Sequence, residues 1–157
     1  MGLEIERKFL VAGDSWRDEV ACSAVFRQGY LSTNAKATVR VRVVNDETAY
    51  VTIKGPVTGI SRAEFEYKVP VADAFEILQF AQPHVVEKRR HYIPRDGVTW
   101  EVDVFDGLHA GLVLAEVELA DAEQDVVLPE WIGPDVSADG RYANASLSRA
   151  PGVPARK

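Results

Sequence analysis

Seven short stretches of this chain carry charged or polar side chains two residues apart, with a mostly apolar residue between. Glu4, Glu6 and Lys8 form the first, followed by Arg40/Arg42, Thr52/Lys54, Glu64/Glu66, Lys88/Arg90, Glu101/Asp103 and Glu116/Glu118. Side chains two apart on a β-strand point to the same face. Each stretch therefore reads as a strand with one charged face and one apolar face, the latter formed by Ile5, Val41, Ile53, Phe65, Val102 and Val117.

The surrounding residues give the strand limits. Runs rich in β-branched and aromatic residues predict strands at Leu3–Val11, Val25–Leu31, Ala37–Val44, Ala49–Lys54, Ser61–Val69, Val85–Ile93, Thr99–Phe105 and Leu112–Leu119. Asn45-Asp46, Gly55-Pro56, Asp96-Gly97 and the Gly107–Gly111 segment punctuate them. Short helices are expected from Asp14 or Ser15 to Ala21, over Val71–Ala81, and from about Asp139 to Arg149.

A sheet with its charges in water is the ordinary arrangement. Here the charges are like-signed neighbours, which repel on an open surface, and Ser, Asn or Gln rarely dilute them. The helices also need an apolar sheet face to cover. Both considerations turn the charged face inward. The expected fold is mainly β: a closed eight-stranded antiparallel barrel with a charged interior and a few short helices packed outside. Closure also removes exposed strand edges.

The bulk properties agree with one domain. A length of 157 residues with 46% hydrophobic and 27% charged content is that of an ordinary globular chain. The expected domain covers residues 1–149, followed by a disordered tail over 150–157 rich in Pro, Gly and Ala. No apolar run approaches the ~20 residues needed to span a bilayer, and the N-terminus lacks a signal-peptide pattern. The single cysteine, Cys22, fits a reducing cytoplasm. A net charge of −6 argues against nucleic acid as a partner. A monomer or homodimer without membrane or nucleic-acid contacts is expected.

The interior set holds eight acids (Glu4, Glu6, Glu64, Glu66, Glu101, Asp103, Glu116, Glu118) and six bases (Lys8, Arg40, Arg42, Lys54, Lys88, Arg90), a balance of −2. Desolvating such groups costs several kcal/mol each unless something pairs them. Hard divalent cations take carboxylate oxygens, and Mg²⁺ accepts substrate phosphates as further ligands. Arg and Lys supply forks and point charges for phosphate oxygens. Carboxylates for metal beside bases for phosphate is an arrangement suited to phosphoryl transfer.

Glu4-Ile5-Glu6-Arg7-Lys8 resembles the E-x-E-x-K signature of the CYTH, or triphosphate tunnel metalloenzyme, superfamily. The six later pairs follow in that family's order, and Arg27-Gln28-Gly29-Tyr30-Leu31 is similar to a strand of its short bacterial single-domain members, among them inorganic triphosphatases. The resemblance implies an eight-stranded tunnel, Mg²⁺ or Mn²⁺ as cofactor, and a small-molecule triphosphate as substrate. It assigns phosphate binding to Lys8, Arg40, Arg42, Lys54, Lys88 and Arg90. Metal binding falls to Glu4, Glu6, Glu116 and Glu118, with Glu64, Glu66 and Asp103 completing the set. Glu4, Glu6, Lys8, Lys88 and Glu116 are the catalytic candidates. Relatives often carry a lysine near Arg141–Ala145, where this chain has Ala143 and Ala145.

Hydrolysis of inorganic tripolyphosphate at a terminal phosphoryl group is the leading expectation. A class IV adenylate cyclase, a thiamine triphosphatase and a non-catalytic polyphosphate-binding module are the alternatives. Arg62 and Arg141 are candidate auxiliary phosphate ligands. His84, His91 and His109 lack metal-ligand spacing, Gly55–Gly59 lacks the P-loop ending, and the three tryptophans read as packing anchors. Glu116→Gln is expected to keep the fold and to relieve carboxylate repulsion.

Overall fold

The computed structural model describes residues 2–34, 36–81 and 83–156. Met1 and Lys157, the outer limits of the expected domain and tail, fall outside these. Nine antiparallel strands make one sheet: β1 (Gly2–Val11), β2 (Cys22–Asn34), β3 (Ala37–Val44), β4 (Thr48–Lys54), β5 (Ser61–Val69), β6 (Val86–Arg95), β7 (Val98–Phe105), β8 (Val113–Glu118) and β9 (Ile132–Asp135). The order is β5-β4-β3-β2-β6-β7-β8-β1-β9, and a β5–β1 pairing closes eight of them into a barrel.

Closure depends on β1, which has two partners along one edge. Gly2–Ile5 pair with β5, Phe9 and Val11 pair with the short β9, and the other edge takes β8 over Glu6–Leu10. The short β9 was not expected from sequence, because Gly133 and Pro134 argue against a strand. Two hairpins turn where anticipated. Asn45 and Asp46 sit at φ 53° and 55°, and Asp96 and Gly97 at 50° and 80°, the backbone a tight type I′ turn requires.

The expected helices are shorter than their sequence patterns. Ser15–Glu19 is a 3₁₀ turn, α1 covers Val71–Leu78, and the last segment divides into a 3₁₀ turn at Gly140–Tyr142 and α2 at Asn144–Leu147. No helix of the described residues is long and apolar enough to cross a membrane. Residues 150–156 contain no helix or strand. Yet Gly152 N donates to Leu108 O at 2.7 Å and Arg141 Nη1 to Ala155 O at 2.8 Å, so the expected tail lies along the body.

Two core clusters lie outside the barrel, and a third, on the inner rows of Lys8, Asp103 and Glu116, plugs its α2 end. Ile5, Val102 and Val117 on the outer face pack with Trp16, Trp100 and Trp131, the last two edge to face (centroids 5.8 Å at 77°). Such pairs add ~0.5–1.5 kcal/mol beyond the area they bury. Val41, Val43 and Ala49 are covered by Ala74 and Leu78 of α1. Gly29 permits that contact: a Cβ there would lie 2.4 Å from Ala81 Cβ. Leu10, Phe105 and Leu114 pack with Tyr142 and Leu147 at the α2 end. Coverage is incomplete over β4 and β5. Ile53 and Phe65 point away from the interior as expected, but into solvent, at 39% and 48% exposure.

Candidate active site

The inner face encloses a cavity of about 450 Å³. Twelve of the fourteen charged residues expected inside line it: Glu4, Glu6 and Lys8 from β1, Arg40 and Arg42 from β3, Lys54 from β4, Glu64 and Glu66 from β5, Arg90 from β6, Glu101 from β7, and Glu116 and Glu118 from β8. The period-2 geometry of each strand puts them there. Lys88 and Asp103 are wholly buried behind this lining. Arg141 stays outside, clamped on Asp139 at 2.8 Å.

One side of the cavity is knitted by cross-strand register. Lys8 lies opposite Glu116 and Arg90 opposite Asp103. Asp103 takes Arg90 in a two-pronged bond (2.8 and 2.9 Å) and Lys88 at 2.7 Å. Glu116 lies between Lys8 at 3.4 Å and Arg90 at 3.5 Å, and Arg90 also reaches Glu101 at 3.4 Å. The short α2 closes this side. Asn144 Oδ1 accepts from Lys88 Nζ and Gln28 Nε2, each at 3.1 Å, and Lys8 Nζ donates to Tyr142 O at 3.1 Å. Gln28 Oε1 accepts in turn from Arg42 Nε at 2.7 Å.

The opposite side is built on Lys54, whose Nζ donates to both Glu4 oxygens at 3.0 and 3.2 Å and lies 3.6 Å from Glu64. Arg40 Nη2 donates to Thr52 Oγ1 at 3.1 Å, which donates to Glu66 at 3.0 Å. Among the described residues Glu6 and Arg42 take part in no ion pair.

Burial and neighbouring charge move the titrations accordingly. Glu6 is pushed up to about 8, first by burial and then by the Glu116 and Glu4 carboxylates. Burial also raises Glu4, helped by a hydrogen bond shared with Glu64. Burial, followed by the charges of Arg40 and Arg90, lowers Arg42 to about 9. Burial brings Lys88 down to about 7 against the pull of Asp103. Glu116 behaves differently. Burial opposes its ionisation, but Lys8, Arg90 and Lys88 together hold its carboxyl well below the usual range. The expected relief of repulsion in Glu116→Gln is therefore corrected: this carboxylate is compensated, and the uncompensated one is Glu6.

Of the two arginines expected as auxiliary phosphate ligands, Arg62 lines the cavity, whereas the sequence argument missed Phe26 on β2, Thr38, Tyr50, Tyr92 and Asn144 of α2. Extending the i, i+2 rows by one step reaches Thr38, Tyr50, Arg62 and Tyr92. Asn144 carried no such signal, since only the fold brings α2 over the barrel.

A hard divalent cation fits this donor set. Glu6 is flanked by the Glu4 and Glu116 carboxylates, Glu4 shares a hydrogen bond with Glu64, and Glu64 Oε2 is buried without a hydrogen-bond donor, 3.6 Å from Lys54 Nζ. Among the described residues no three acidic, His or Cys side chains already converge as a cage. A divalent ion held here would complete its shell with waters or substrate phosphates.

Residues 2–151 match the CYTH domain. The chain belongs to the CYTH family. This CYTH domain is 47% identical over 152 residues to an inorganic triphosphatase of Acetivibrio thermocellus, covering 96% of each chain. It is 39% identical over 150 residues to an inorganic triphosphatase of Nitrosomonas europaea, covering 92% of this chain and 96% of that one. The crystal structure of the inorganic triphosphatase NE1496 superposes with a TM-score of 0.69 at 32% identity, covering 95% of this chain and 99% of that one.

Proposed function

We propose that this CYTH protein hydrolyses inorganic tripolyphosphate at a terminal phosphoryl group, using Mg²⁺ or Mn²⁺. The observation that carries this reading is the pair of uncompensated positions in one cavity. Among the described residues Glu6 makes no ion pair, Lys8 and Lys54 offsetting only part of its burial and its carboxylate neighbours, and Arg42 makes none with a carboxylate. The first calls for a metal ion and the second for an anion. The two inorganic triphosphatases that share most of this chain's length support the same substrate class.

Each group's role follows from its surroundings. Arg42, with Arg40, Lys54, Lys8 and Arg90 around the lining, binds the phosphate oxygens and neutralises charge that develops on them. Glu4, Glu6 and Glu64 are the first candidates to hold the metal, with Glu116 and Glu118 across the β1–β8 ladder. A bound metal supplies Lewis acidity toward the phosphate oxygens and an activated water. Glu116 fixes Lys8 and Arg90 in register. Lys88 and Asp103, behind the lining, orient Arg90 rather than touch substrate, and Glu66 steadies Arg40 through Thr52.

Phosphate release from tripolyphosphate, ATP and thiamine triphosphate, each with Mg²⁺, Mn²⁺ or a chelator, tests the reading. Fastest release from tripolyphosphate, abolished by chelation, is expected. Pyrophosphate and cyclic AMP from ATP would make it a cyclase instead.

A further inference from the structure

We propose that Arg62 builds an additional phosphate subsite at the Lys54 end of the tunnel, one that grips the outer phosphoryl group of linear polyphosphates longer than tripolyphosphate. The proposal rests on the triphosphatase reading above and extends it to chain-length preference.

Arg62 stands two residues before Glu64 on β5, on the same inner face, and lines the cavity. Its cross-strand partner is Glu4, yet the two form no ion pair, because Glu4 is engaged by Lys54. Neutral groups hold the guanidinium instead. Nε and Nη2 both donate to Gly55 O, at 3.0 and 2.7 Å, and Nη2 also reaches Thr38 Oγ1 at 3.4 Å. A carbonyl anchor fixes the fork in place and leaves its full positive charge uncancelled. The anchor occupies the Nε–Nη2 edge, and among the described residues Nη1 keeps both N–H groups unengaged, held in place for a phosphate oxygen.

Position gives the subsite its meaning. Among the described residues Arg42 and Arg62 are the cations of the lining that take part in no ion pair. They lie toward opposite ends of the inner row of β3: Arg42 is on that row beside Gln28, and Arg62 is held against Thr38. Thr38 and Arg42 are four residues apart, ~13 Å along an antiparallel strand. A tripolyphosphate chain is shorter than that row, so one seated at Arg42 leaves Arg62 unused. Each added phosphate extends the chain toward it. A purely structural role, latching the Gly55–Ile60 turn, would need the hydrogen bond to Gly55 O but not the charge.

Arg62→Gln separates these roles, since its amide can still donate to Gly55 O without the charge. Arg62→Lys keeps the charge and loses the fork. KM and kcat are measured on tripolyphosphate, tetrapolyphosphate and ATP, with thermal melting and calorimetric binding of tetrapolyphosphate in chelator. Arg62→Gln is expected to raise KM and weaken binding for tetrapolyphosphate about tenfold, the scale of one charged hydrogen-bonding contact. KM for tripolyphosphate should stay within about threefold, and Arg62→Lys should recover part of the loss. Equal effects on both polyphosphates, a fall in melting temperature alone, or a selective effect on ATP would overturn the subsite. If the wild type released no phosphate from tripolyphosphate, the functional reading would fail. Tetrapolyphosphate binding with and without the Arg62 charge would still decide the subsite.

Discussion

Glu6→Gln should stabilise the metal-free protein at neutral pH, whereas Glu116→Gln should destabilise it, although both remove one carboxylate from one cavity. Glu6 titrates near 8 in the folded chain against an ordinary value of 4.5. Between those values the folded state binds more protons than the unfolded one, so this group makes stability fall as pH rises through the window. Holding it protonated at pH 7 costs about 3 kcal/mol, from 1.36 kcal/mol per pH unit above 4.5. Gln removes that cost. At ~2–4 °C per kcal/mol for a domain of this size, the gain is on the order of 5–10 °C. It should shrink to about 0.4 kcal/mol near pH 4.5, where folded Glu6 is protonated and the unfolded group is half so. Glu116→Gln instead strands Lys8 and takes from Arg90 one of its three carboxylates, and loss of a buried partner costs roughly 3–5 kcal/mol. Thermal unfolding by circular dichroism, in chelator at pH 4.5, 7 and 8.5, measures both. A Glu6→Gln protein no more stable than wild type at pH 7, or one whose gain ignores pH, would refute this reasoning.

Arg42→Ala should raise KM and lower kcat for tripolyphosphate, by about 10² in kcat/KM. Its melting temperature should hold or rise, since a half-buried cation without a carboxylate partner leaves the structure; steady-state kinetics beside calorimetry checks both. Gly29→Ala forces a Cβ onto Ala81 and should cost about 1–3 kcal/mol by prising α1 from β2, read by urea denaturation.

The barrel was legible in the sequence because a strand's period is two. Seven charged rows, such as Arg40/Arg42 and Glu64/Glu66, fixed which face turned inward without knowledge of the partners. Partners depend on register between distant strands. Only the β1–β8 pairing puts Glu116 against Lys8, so single-sequence reasoning could count carboxylates but not tell compensated Glu116 from uncompensated Glu6. Depth was equally hidden. Lys88 and Asp103 obey the same alternation as Arg90 and Glu101, yet Phe26 and Phe105 beside Lys88 and the closing α2 put that pair behind the lining. The exposed outer face at Phe65 escaped for a related reason: an apolar row says which way it points, not whether a helix covers it.

Phosphate release from tripolyphosphate by wild type and Glu116→Gln, with Mg²⁺ and after thorough chelation, tests the central claim most directly. Wild type should turn over only with metal. Glu116→Gln, checked by circular dichroism to be folded at the assay temperature, should be slower by about 10² or more, because Lys8 loses its carboxylate partner and Arg90 one of three. Turnover that survives chelation, or a folded Glu116→Gln protein at wild-type rate, would contradict the account. Tight tripolyphosphate binding with no phosphate released under either metal would make the tunnel a binding module rather than an enzyme.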